Sequence, residues 1–82
     1  LFRDAQIREA IAKLSKDQQQ VIMLHWYGEM TFDEVAQAVG ATSSAVRVRA
    51  HRAYEKLRNS LAALGIELKG DEIPGQGEGG AA

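Results

Sequence analysis

The sequence predicts an all-α domain of four helices, the last two forming a helix-turn-helix, followed by a flexible acidic, glycine-rich tail. Three observations predict it. Apolar residues recur at three- and four-residue spacing through most of the first 64 positions. Capping signatures stand at Ser15–Gln18 and Thr31–Glu34, just ahead of apolar-periodic stretches. The single proline, Pro74, falls outside the periodic part, so no residue of that part is barred from a helix interior.

The elements follow in order. Residues Arg3 to Leu14 read as a first helix, with Ile7, Ala10, Ile11 and Leu14 on one face. Ser15 caps a second helix carrying Val21, Ile22, Leu24 and Trp26, which ends near Gly28. Gly28 is expected to take the left-handed conformation that closes a helix. Thr31 opens a third helix with Phe32, Val35, Ala36 and Val39 inward, and Gly40 stops it after about two turns. Thr42, with Ser43 or Ser44 able to share the role, caps a fourth helix running to about Leu64. Its stripe is Val46, Ala50, Ala53, Leu57, Leu61 and Leu64, a helix period held without a break.

From Gly65 the composition changes. Residues 65–82 hold Pro74, a run of glycines and only Ile66, Leu68 and Ile73 as aliphatic anchors. Such a segment buries too little surface to offset its ordering entropy. The expected division is therefore a helical domain over 1–64 and a flexible tail or linker over 65–82. With Leu1 rather than methionine at the start, the chain is expected to be a piece of a longer protein. It shows no signal-peptide pattern and no apolar run near the roughly 20 residues that span a bilayer.

Charge narrows the function classes. The formal net charge is −1, but the stretch from Gly65 onward carries Glu67, Asp71, Glu72 and Glu78 against Lys69 alone. The remainder is net basic, and Arg47, Arg49, Arg52, Lys56 and Arg58 crowd the fourth helix with Glu55 as the one local acid. A basic stripe on a near-neutral body is the footprint of a nucleic-acid binder. This segregation of charge motivates one hypothesis, that the acidic tail competes with DNA for that helix, while the sequence leaves the role of the tail open. Nothing points to catalysis or a cofactor. There is no cysteine, His25 and His51 lie far apart, no nucleophile elbow is present, and the glycines follow no strand.

The third and fourth helices, joined by Gly40-Ala41-Thr42, meet the demands of a helix-turn-helix. Gly40 supplies the turn, and Ala36 and Ala45 are small enough for a close helix crossing. On a helical wheel Ser44, Arg47, Val48, His51, Arg52 and Glu55 fall opposite or nearly opposite the apolar stripe of the fourth helix, with Arg49 and Lys56 on a flank. A major groove admits one such helix, and arginine pairs bidentately with guanine there.

These motifs carry a resemblance. From Leu14 to Leu61 the chain resembles region 4 of the sigma-70 family, in particular its extracytoplasmic-function (ECF) group. The likeness rests on Leu14-Ser15 before a glutamine-rich helix and on Thr31-Phe32-Asp33-Glu34-Val35-Ala36. It also rests on the Gly40 turn and on the run Val46 to Ala53, Val-Arg-Val-Arg-Ala-His-Arg-Ala. The resemblance implies a cytoplasmic domain that binds the −35 element of double-stranded promoter DNA and docks on the flap of the RNA polymerase β subunit. By position it places Ser43, Ser44, Arg47, Val48, His51 and Arg52 toward base edges and nearby backbone. Thr31, Thr42, Arg49 and Lys56 go to phosphates. It supplies no counterpart of the region that reads the −10 element and melts DNA.

Two residues depart from the family pattern. Val48 stands where relatives often have serine, which suggests an apolar contact to a thymine methyl. Gly28-Glu29 inverts a common Glu-Gly order. Trp26, Tyr27 and Met30 form an apolar group read first as core packing, and otherwise as part of a surface that an anti-sigma factor covers. The alternatives are the output domain of a two-component or quorum-sensing regulator, which would dimerise through its last helix, and a module whose basic helix meets an acidic protein.

Overall fold

The computed structural model describes residues 2–68. Their elements are α1 (Phe2–Ala12), α2 (Lys16–Ile22) running into a π-helical turn (Met23–Tyr27), α3 (Phe32–Val39) and α4 (Ser43–Ala62). Among the described residues there is no strand, and no helix is long and apolar enough to cross a membrane.

The caps do what their sequence signatures require. Ser15 Oγ accepts from the Gln18 amide at 3.2 Å while Gln18 Oε1 accepts from the Ser15 amide at 3.4 Å. Thr31 and Glu34 repeat the exchange at 3.1 and 2.8 Å. Thr42 Oγ1 accepts from the Ala45 amide at 3.1 Å and alone caps α4. Each such cap satisfies donors that would otherwise be orphaned, contributing about 1 kcal/mol. Gln19 Nε2 also donates to the Ala12 carbonyl at 3.0 Å, tying α2 to the end of α1.

α4, about 30 Å long at 1.5 Å per residue, is the spine on which α1, α2 and α3 all pack. The core holds Ile7, Ala10, Ile11 and Leu14 from the N-terminal end, Val21 and Ile22 from α2, and Phe32, Val35 and Ala36 from α3. From α4 come Val46, Ala50, Ala53, Tyr54, Leu57 and Leu61.

The structure corrects four expectations. Leu64 is 59% exposed, so the α4 stripe ends at Leu61. The chain instead turns through Gly65, where the Gly65 amide donates to the Ala62 carbonyl and the Ile66 amide to the Leu61 carbonyl. This folds Ile66 and Leu68 back onto the core, and Leu68 is buried, although both lie in the stretch expected to be tail. The rest of that stretch, 69–82, lies outside the described residues. Gly28 is not left-handed (φ −84°); the left-handed residue is Glu29 (φ 54°). Gly28 is needed for a different reason, because a Cβ there would stand 2.6 Å from the Leu24 carbonyl oxygen. Finally, Ala45 is exposed and lies beside Ser15 and Gln18, whereas Ala36 is buried as the crossing requires.

Candidate nucleic-acid interface

The interface is assembled by α3, its turn and α4. Gly40 adopts φ 72° and ψ 37°, and the Gly40 and Ala41 amides both donate to the Ala36 carbonyl, which closes α3 and redirects the chain. A Cβ at Gly40 would meet no atom within 4 Å, so the glycine is required by backbone conformation and not by space. Ser43 Oγ then donates to Asp33 Oδ1 at 2.5 Å, fastening the start of α4 to the first turn of α3.

This geometry sorts the expected contact residues. Ser44, Val48, His51 and Arg52 are exposed on the outer face of α4, joined by Ala45 and Glu55. Val48 is 51% exposed, a large apolar side chain offered to solvent from the middle of a basic face. Arg49 is half-buried on one flank, where it lines a shallow groove with Ser15, Asp17, Gln18 and Arg52. Lys56 and Arg58 are exposed further along. Arg47 differs from the wheel expectation. It is half-buried on the other flank, with its guanidinium carbon 5.7 Å from the centre of the Phe32 ring. Ser43 is half-buried and already committed to Asp33. Thr31 and Thr42 are exposed, and as caps their oxygens accept backbone amides while the hydroxyl hydrogens stay available to an outside acceptor.

Five cations against Glu55 alone make α4 strongly electropositive along two flanks of one face. That field favours a polyanion, and a groove-sized helix presenting both a basic and an apolar side chain can read base edges.

Sequence reasoning missed the buried polar cluster behind this face. His25 is 1% exposed, and its Nδ1 lies 2.9 Å from the Tyr54 hydroxyl. Its ring stacks on Phe32 with centroids 4.2 Å apart and planes 17° from parallel. Trp26 tilts against Tyr54 at 5.9 Å and is half-buried, as is Met30. The supposed Trp26, Tyr27 and Met30 group therefore splits. Its exposed member, Tyr27, lies with Met23, Ile11, Ala12 and Gln19 around a groove where the Arg8 guanidinium sits 5.6 Å from the Tyr27 ring centre.

Burial, with a smaller contribution from the Tyr27 phenol, pushes the Tyr54 hydroxyl well above its ordinary value. A folded-state value raised in this way contributes stability that is whole below about pH 10 and is lost as pH rises past it. Tyr54→Phe is accordingly expected to cost about 1–3 kcal/mol at neutral pH by removing one side of a buried hydrogen bond. It is also expected to flatten the alkaline fall in stability, as checked by urea melts between neutral pH and pH 11.

Comparison with known proteins adds independent findings. Residues 4–57 match the family model described as Sigma-70, region 4. The chain is 35% identical over 60 residues to RNA polymerase sigma factor CarQ of Myxococcus xanthus, covering 73% of this chain and 34% of that protein. It is 34% identical over 59 residues to ECF RNA polymerase sigma factor SigD of Mycobacterium tuberculosis, covering 72% of this chain and 28% of that one. The chain thus spans about a third or less of the curated relatives it matches. No solved structure matches it significantly.

Proposed function

Since the chain belongs to the sigma-70 family, as a region 4 DNA-binding domain of the ECF type, we propose that it reads the −35 element of promoter DNA by laying α4 in the major groove. The observation that carries this reading is the outer face of α4, where Ser44, Val48, His51 and Arg52 stand exposed between two basic flanks. In this reading Arg47 and Arg52 pair with base edges, Val48 meets a thymine methyl, and Ser44 and His51 supply shorter polar contacts. Arg49 and Lys56 hold phosphates on one flank, and the Thr31 and Thr42 hydroxyls hold them at the two helix starts. Ser43 acts mainly through its bond to Asp33, which sets the angle at which α4 enters the groove.

The domain binds and positions; it performs no reaction and carries no cofactor. Promoter DNA is one partner. RNA polymerase, through the flap of its β subunit, is the other, and an anti-sigma factor competes with it in the cytoplasm. The groove around Met23 and Tyr27 favours this second, protein-facing role, because it exposes 47% and 40% of two large apolar side chains away from α4.

The test is fluorescence anisotropy with a labelled duplex bearing an AAC-type −35 element, against a scrambled duplex, over a range of salt. A single small helix-turn-helix makes few contacts, so affinity for the specific duplex is expected to be on the order of micromolar at low salt. Preference over the scrambled duplex is expected to be about tenfold or more. Equal affinity for both duplexes would remove base reading from the account and leave only electrostatic attachment.

A further inference from the structure

The side chain of Arg47 is not simply one more cation on α4. Its Nε is buried and has no hydrogen-bond partner among the described residues, while its guanidinium lies over the face of Phe32. Phe32 is itself backed by the His25 ring, and His25 is fixed by the Tyr54 hydroxyl. Tyr54 stands seven residues after Arg47 on the same helix, nearly two full turns along the same side. The order is thus a guanidinium on a phenyl ring, on an imidazole, bonded to a phenol that returns to α4. Next to Phe32, Asp33 accepts from Ser43, one turn before Arg47. Two neighbouring residues at the start of α3 therefore grip two residues spaced one turn apart on α4.

We propose that Phe32, backed by His25, is a positioning residue for DNA recognition: it acts as a shelf that holds the Arg47 guanidinium in the plane and direction from which it meets a base edge. The proposal rests on the reading that α4 lies in the major groove. Arginine loses considerable rotamer freedom when it pairs bidentately, and a guanidinium already stacked on an aromatic face has lost much of it before DNA arrives. The stack also selects which nitrogens are used. With Nε buried and unpartnered among the described residues, the terminal Nη nitrogens are left to donate, and guanine N7 and O6 accept such a pair. A cation–π contact of this kind is modest by itself. Its effect on binding comes through Arg47 alone, which separates positioning from general packing.

That distinction sets the experiment, a double-mutant cycle on duplex affinity with Phe32→Leu and Arg47→Ala. Phe32→Leu is expected to weaken binding of the −35 duplex by about three- to tenfold in the native background. In the Arg47→Ala background it is expected to change affinity by less than about twofold. In nitrogen–proton spectra of the free native protein, the Arg47 Nε–H proton should lie upfield, as a proton over a ring does, and should lose that shift in Phe32→Leu. Equal weakening in both backgrounds would overturn the proposal, since Phe32 would then act only through the fold. So would a Phe32→Leu protein that binds normally while Arg47→Ala does not. Unchanged binding by Arg47→Ala itself would remove the DNA contact and so take the reading down with the shelf. Should Phe32→Leu fail to fold, the native spectrum decides, because an Arg47 Nε–H proton at its ordinary position overturns the stacking.

Discussion

Replacing Arg47 and Arg52 together by alanine is expected to weaken binding of the −35 duplex by about thirtyfold or more, on the order of 2–6 kcal/mol at 1–3 kcal/mol for each base-reading arginine. The loss should fall mainly on the specific duplex, so that the double variant binds it little better than the scrambled one. Anisotropy titrations at one fixed salt concentration check this. The fold should survive, because Arg52 is exposed and Arg47 is half-buried with its contact to the edge of the core. A thermal melt recorded beside the titration makes that control. Arg49→Ala and Lys56→Ala offer the contrast. As phosphate contacts they should weaken both duplexes to a similar degree and each reduce the salt dependence by about one counterion.

The second large effect concerns the spine. Leu57 is 0% exposed on the face of α4 against which the other helices pack. Leu57→Ala is expected to cost about 2–5 kcal/mol, through lost burial and the cavity left behind. A domain of this size has only roughly 3–10 kcal/mol to lose, at 0.05–0.15 kcal/mol per residue. The melting midpoint followed by circular dichroism should therefore fall by more than about 10 °C, and at physiological temperature much of the helical signal should be gone. Leu64→Ala, by contrast, removes a side chain that is 59% exposed and should change the midpoint little. Equal effects at Leu57 and Leu64 would contradict a stripe that ends at Leu61 and a chain that turns away through Gly65.

The contrast between those two leucines shows how far the sequence is legible. Local chemistry carried the element starts, because a cap is read within four residues: Ser15 with Gln18, Thr31 with Glu34 and Thr42 with Ala45 each form the bonds their types predict. Gly40 was legible for the same reason. The end of α4 was not, because Leu64 continues the period perfectly and only the return of the chain at Gly65 brings Ile66 and Leu68 inward instead. Composition assigned those two residues to a tail, and tertiary packing overrode it.

The buried pair behind the interface was hidden differently. His25 follows Val21 by four and Ile22 by three, and Tyr54 follows Ala50 by four and precedes Leu57 by three. Both therefore sit on the periodic stripe, although each carries a polar atom that a search for apolar residues passes over. Two buried polar groups make sense only once each is seen to satisfy the other, which no pattern within one helix reveals. The π-helical turn over Met23–Tyr27 is of the same kind. The Gly28 amide reaches back five residues to the Met23 carbonyl at 3.0 Å, a local widening that a wheel at fixed pitch does not anticipate. In the interface, the wheel found the outer face, but it put Arg47 there as well. Its lean onto Phe32 depends on where α3 lies, and α3 is placed by Gly40 and the Ser43–Asp33 bond.

The central claim is that the outer face of α4 enters promoter DNA. It is tested most directly by titrating nitrogen-15-labelled protein with the −35 duplex and following amide shifts residue by residue. The account predicts shifts concentrated on residues 43–56, with Thr31 at the margin and α1 and the groove around Met23 and Tyr27 unmoved. The scrambled duplex should give smaller shifts on the same helix. Shifts centred on the Met23 and Tyr27 groove, or an α4 unmoved by either duplex at millimolar concentration, would contradict it and assign the basic helix to a protein partner.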